Sequence, residues 1–206
     1  GFLNWLWSHK EKFKQYTKDY YQADGLNVPG VTTLAGEPMG GWIQYSLGPT
    51  VSAWLSHHFY LHWQFSKDKN FLEKKAYPWL KESSEFIKNI SLRGEDNLKK
   101  LPLSSSPEFN DNTREAWFSQ TTNFDLALIR WLFEKTAELA DELGYHKEKD
   151  IWLNELSQWP QLAIDSVSGL LVAPDHPLES SHRHFSHLMA IHPLSILKWD
   201  DIQERE

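Results

Sequence analysis

The segment TTNFDLALIRWLFEKTAELADELG, residues 121–144, constrains the fold more than any other part of the chain. Phe124, Leu128, Leu132, Leu139 and Leu143 recur on one helical stripe, which Ala137 and Ala140 widen. Thr121, Thr122 or Asn123 suits the cap at its start, and Gly144 suits its end. A helix of this length must bury its stripe against other elements, so the rest of the chain has to supply them.

It supplies further helices. Residues 2–21 carry Phe2, Trp5, Leu6, Phe13, Tyr16 and Tyr20 mostly at three- and four-residue steps, as one amphipathic helix requires. Helical spacing returns from Thr50 to Phe65, through Val51, Trp54, Leu55, His58, Phe59 and His62. It returns again from Asn70 to Ile90, where Pro78 marks a kink or a start, and these two helices are expected to pair as neighbours. A shorter helix is expected over Lys147–Ser157 and a last one near Arg183–Ile191. The intervening stretches are long loops: residues 25–41 with five Gly and two Pro, 93–120, and 160–181. No strand pair declares itself, so the fold class is all-α, with loops at one end of the array free to build a site.

Composition narrows the function classes. Eleven Trp, eleven Phe and seven Tyr in 206 residues support an aromatic core, and aromatics also stack on sugar rings. A net charge of −7 without any Lys/Arg run excludes a phosphate-neutralising surface, so no nucleic acid is expected as partner. The absence of Cys removes disulfides and thiolate metal sites and leaves the compartment open. Apolar runs fall short of the roughly 20 residues a membrane span needs, so no membrane partner is expected. Both ends read as cut: Gly1–Trp7 begins within an apolar pattern, and no closing element follows His192-Pro193-Leu194. Residues 1–206 are therefore expected to be a single incomplete segment of a domain.

Glu108, in Ser104-Ser105-Ser106-Pro107-Glu108-Phe109-Asn110, is the first chemical candidate. A carboxyl after a Pro-fixed turn, beside an aromatic and an amide, can have its pKa raised by burial and act as a general acid, or can be an ordinary loop Glu. The second is His182-Arg183-His184-Phe185-Ser186-His187, where a planar guanidinium fork with imidazoles suits vicinal sugar hydroxyls. Zinc is the rival there, since His184 and His187 lie three apart on one expected helix face; H-E-x-x-H is absent, however, and no metal is expected. Simple packing at a helix start is the third reading. His57, His58 and His62 lack an acidic third ligand and read as helix packing. Trp42, after Gly40-Gly41, is either a sugar platform or a core residue.

In order, GGW, SxSPE, TNFDLALIRxLF and HRHxSHLxxIHPL resemble the family 95 glycoside hydrolases, a group that includes α-L-fucosidases and α-L-galactosidases. The likeness covers most of residues 40–195 and rests chiefly on the SPE and HRHxSHL motifs. It implies part of an (α/α)6 toroid of paired helices with long functional loops. It also implies an inverting exo-glycoside hydrolase acting on α-L-fucosides or related α-L-galactosides in glycans or polysaccharide side chains, without cofactor. By that likeness Glu108 matches the general acid, Trp42 a substrate-contacting Trp, and Arg183 and His184 residues that hold the sugar; Asn110 and His187 join the substrate-binding set. The family's base, an Asn assisted by an Asp, belongs to motifs this chain lacks, so the remainder of the catalytic domain is implied as a partner. Without it, little or no activity is expected. The first loop also departs from the fucosidase pattern, with Val28-Pro29-Gly30-Val31-Thr32-Thr33 in place of His-Asn-Thr-Asp. Export to the periplasm or beyond is implied by the likeness alone. The alternative function is a non-catalytic carbohydrate-binding helical module, in which Glu108 has no chemical task.

Overall fold

The computed structural model describes residues 1–198, and within them the chain is all-α with two small antiparallel hairpins. The first expected helix is two: α1 (Phe2–Ser8) and α2 (Lys10–Tyr21), broken at His9, whose ψ of 6° leaves the helical region. Leu6, Phe13 and Tyr16 are buried, whereas Phe2 and Tyr20 face outward. The glycine-rich stretch is a loop as expected. Gly25, at φ +110°, lets it lie on a later helix, because a Cβ there would stand 2.4 Å from Phe86 N.

After a short helix α3 (Ile43–Ser46) comes α4 (Val51–Ser66). Its buried face is Ser52, Ala53, Ser56, His57, Phe59 and Trp63, which corrects the expected stripe: Trp54, His58 and His62 point outward. The reason is hydroxyl-mediated packing, which an apolar-only reading does not detect. Ser52 Oγ meets Ser83 Oγ at 2.6 Å, bringing α4 onto the following helix, and Phe59 stacks on Trp79 at 4.5 Å.

That following helix runs from Lys69 to Ile90 as α5 (Lys69–Phe71), a π-turn (Leu72–Ala76) and α6 (Tyr77–Ile90). Asp68 caps it, accepting from Asn70 N at 2.9 Å and Phe71 N at 3.2 Å. Pro78 stands in the first turn of α6, the start that the sequence offered, directly after the widened turn. Helix α7 (Asn123–Glu142), capped by Thr122, is buried nearly all round and packs on α6, where Ser84 Oγ meets Thr136 Oγ1 at 2.9 Å, and on α8 (His146–Leu156). Two hairpins correct the expectation of no strand pair: β1 (Leu92–Arg93) with β2 (Lys99–Lys100), and β3 (Ile164–Asp165) with β4 (Gly169–Leu170). Each is too short to show a period of two in the sequence.

The last expected helix, Arg183–Ile191, is absent: only a 3₁₀ turn at Ser186–Leu188 forms, followed by further turns. His184 and His187 therefore do not share a helix face. No helix among the described residues is long and apolar enough to cross a membrane.

Candidate active site

The loop that carries Glu108 is closed at its neck by a two-way bridge. Ser104 N donates to Phe118 O at 3.2 Å and Phe118 N donates back to Ser104 O at 2.8 Å. Within it Glu108, Asn110 and Asp111 all adopt positive φ, at 59°, 56° and 51°. Left-handed backbone suits Asn and Asp but is uncommon for Glu, and such strain persists where surrounding bonds hold it. The Gln44 amide on α3 donates to Phe109 O at 3.0 Å and Asp111 O at 2.8 Å, and His182 stacks on Phe109 with ring centres 4.2 Å apart. His184 N donates to His182 Nδ1 at 3.1 Å, which leaves His182 Nε2–H to donate to Glu108 O at 3.3 Å.

Arg183 and His184, about 75 positions along the chain, converge on the Glu108 carboxylate. Arg183 Nη2 donates to Oε2, and His184 Nε2 stands 3.2 Å from the same oxygen without the alignment of a hydrogen bond. The Glu108 side chain is 20% exposed while that of Arg183 is 72% exposed, so the pair lies at the rim of the loop cluster. The Arg183 guanidinium holds the Glu108 carboxyl below the usual carboxylate range, with His184 and Tyr45 adding to the effect. This corrects the expectation of a pKa raised by burial: Glu108 is too open, and too close to a cation, for desolvation to win.

Tyr45 was not foreseen. Its phenol faces Glu108 and is pushed up to about 12, first by burial and then by the Glu108 charge. Trp42 stacks on it at 6.3 Å, half exposed, so the expected platform sits behind the tyrosine rather than on the carboxylate. Beside them a cavity of about 180 Å³ is bordered by Tyr45, Trp54, Phe124, Pro107, Ser105 and Asp125. Trp54 sat within a helical stripe, where sequence alone reads a core residue; the signal for Tyr45 was its place three residues after Trp42 in a short helix.

Two further expected residues lie in the same loops. Asn110 turns its amide back to Glu115 O at 2.9 Å and so fastens its own loop. His187 is buried, its pKa lowered by that burial, and makes no contact with Glu108 among the described residues. Its neighbour Ser186 ties the two loops together, Oγ to Ser106 Oγ at 2.6 Å. His57 packs edge-on to Trp131 at 5.2 Å and His62 on Phe71 at 4.4 Å, the helix-packing role expected of them. No group of three metal-ligating side chains forms among the described residues.

A carboxyl, a guanidinium fork and an imidazole gathered by loops above a helical scaffold, next to an aromatic-walled cavity, form an arrangement suited to a polyhydroxylated ring. The chain belongs to glycosyl hydrolase family 95: the family's catalytic-domain model matches residues 1–204. Alpha-L-fucosidase 2 of Arabidopsis thaliana is 28% identical over 165 residues, which cover 76% of this chain and 19% of that relative. The chain thus spans less than a fifth of the relative's length.

Proposed function

We propose that this chain is the acid-bearing part of an inverting exo-glycoside hydrolase acting on α-L-fucosides or related α-L-galactosides. The observation that carries the proposal is the convergence of Arg183 and His184, from one loop, on the strained and firmly held Glu108 of another. Glu108, protonated, gives its proton to the glycosidic oxygen as the bond from that oxygen to the anomeric carbon breaks. Water attacks the opposite face of the sugar and loses a proton to a base, so that glycoside and water become free sugar and alcohol. The base belongs to the rest of the catalytic domain, which would complete an (α/α)6 toroid.

The free-state ion pair has a consequence for this reading. With Arg183 on it, Glu108 is ionised at neutral pH and is not yet an acid. A sugar whose hydroxyls accept from the Arg183 fork would draw the guanidinium away and let the carboxyl rise toward the pKa an acid needs. Tyr45 and Trp54 would form the apolar wall for the ring, with Trp42 stacked behind Tyr45. The same ionised Glu108 favours one second reading, a carbohydrate-binding module in which the carboxylate only accepts from sugar hydroxyls.

A panel of alkyl α-L-fucosides and α-L-galactosides, with sugar binding measured in parallel on the Glu108→Gln protein, separates the two. Turnover lost by about a hundredfold or more with binding kept supports the hydrolase. No turnover from any glycoside by the full-length protein, with sugars still bound, supports the binding module.

A further inference from the structure

Asp125 has no part in the reaction as written above, yet it is fully buried where two walls of the site meet. Thr122 and Asp125 have the spacing of a capping box, in which the acid turns back onto the Thr122 N–H. Here that N–H donates to Ser104 Oγ instead, at 2.9 Å, and Asp125 faces elsewhere. Its Oδ1 accepts from Thr50 Oγ1 at 2.6 Å and its Oδ2 from Ser104 Oγ at 2.5 Å, with the Ser105 N–H as a further donor. Thr122 Oγ1 adds a bond to Ser105 O at 3.0 Å.

These partners belong to different parts of the site. Thr50 starts α4, five positions after Tyr45 and four before Trp54. Ser104 and Ser105 lead into the loop of Glu108. One oxygen of Asp125 therefore fixes the aromatic wall and the other fixes the acid's loop, and the cavity between them is bordered by Asp125 itself. No cation pairs with this carboxyl among the described residues, so only the three donors act against the cost of burying it. Helix α7 needs no such residue for its own start, because Thr122 already caps it.

We propose that Asp125 is a positioning residue for hydrolysis, setting the place of the Glu108 carboxyl relative to the Tyr45 and Trp54 wall through Ser104, Ser105 and Thr50. The proposal rests on the reading of Glu108 as general acid, and it makes a demand that a merely structural residue does not. A displaced acid slows departure of poor leaving groups, which need a proton, far more than of good ones, which do not.

The test uses the full-length enzyme with an alkyl and a nitrophenyl α-L-fucoside, comparing Glu108→Gln, Asp125→Asn and, as a remote buried control, Ser84→Ala. Asp125→Asn keeps the volume but disturbs the pattern of acceptors. The expected result is a fall in kcat of about tenfold or more on the alkyl glycoside and about threefold or less on the nitrophenyl one, with KM nearly constant, while Ser84→Ala treats both alike. If Asp125→Asn does not fold, Ser104→Ala cuts the link to the acid's loop, together with the bond from the Thr122 N–H, leaves the Thr50 bond in place and should show the same selectivity.

Equal losses on both substrates for the Asp125 or Ser104 variant, with Glu108→Gln selective, would overturn this proposal and leave Glu108 as the acid. A Glu108→Gln protein that fails to discriminate leaving groups would remove the general-acid reading, and this proposal with it.

Discussion

Removing the charge of Asp125 tests how that interior is balanced. Burial lifts its carboxyl from an ordinary 3.8 to about 6, outweighing the donors Ser104, Thr50 and the Ser105 N–H. The difference of about 2.2 units corresponds to about 3 kcal/mol at about 1.4 kcal/mol per unit. The folded state holds the proton more tightly than the unfolded chain, so the sign is set. The stability this group contributes is complete below about pH 3.8 and lost as the pH rises through about 6, beyond which it is constant. Asp125→Asn cannot titrate, and the remaining groups are common to both proteins. The stability of the wild type minus that of the variant should therefore fall by about 3 kcal/mol between about pH 3.5 and 6.5. Urea unfolding followed by fluorescence of the eleven tryptophans across that range measures it. A flat difference would refute the dominance of desolvation, and a difference that rises with pH would show that the three donors hold the carboxylate better than water does.

The other expectations concern the scaffold and the rim. Gly25→Ala should cost about 2 kcal/mol or more in urea unfolding, since φ +110° is strained for a side chain and the new Cβ meets Phe86 N at 2.4 Å; a loss under about 0.5 kcal/mol would contradict the close packing of that loop. Trp79→Ala, which empties the place stacked on Phe59 at 4.5 Å, should cost about 3–5 kcal/mol by the same assay. Arg183→Met should raise the Glu108 pKa, followed by carboxyl NMR. Glu108 would then hold its proton to a higher pH, and the stability it contributes above its unfolded pKa in the wild type would be lost; an unmoved titration would show that Arg183 does not govern this carboxyl.

Much of the helical scaffold was legible because its signals are local. Thr122 caps α7 as one of the three residues that suit the position, and the run to Glu142 follows the apolar pattern. The register of α4 was not legible, because its inward face is built from Ser52 and Ser56 as much as from Phe59 and Trp63. Hydroxyls that pair across helices look polar in a sequence, and only the partner helix shows that they are satisfied. The Arg183–Ile191 segment carries helical spacing, but its backbone is drawn into turns that tie Ser186 to Ser106 and His182 to Glu108.

Of the site, Glu108, Arg183 and His184 could be named from their motifs, while their meeting point could not. Tyr45 and Gln44 were missed because their roles depend on where α3 docks, which nothing within IQYS encodes. In the same way TTNFD looked like a generic helix start. Its Thr122 and Asp125 hold the Glu108 loop at Ser105 and Ser104, while Asn123 holds another stretch, donating to Ala163 O and Leu171 O at 2.8 Å. Loop anchoring is long-range, and a single sequence contains no trace of it beyond the residue types.

The most direct test of the central claim is the anomeric configuration of the first product, read by proton NMR as the full-length enzyme turns over an alkyl α-L-fucoside, with and without Glu108→Gln. The account expects the β-anomer to appear first and its formation to fall by about a hundredfold or more in the variant. First release of the α-anomer, or undiminished release by the variant, would contradict it.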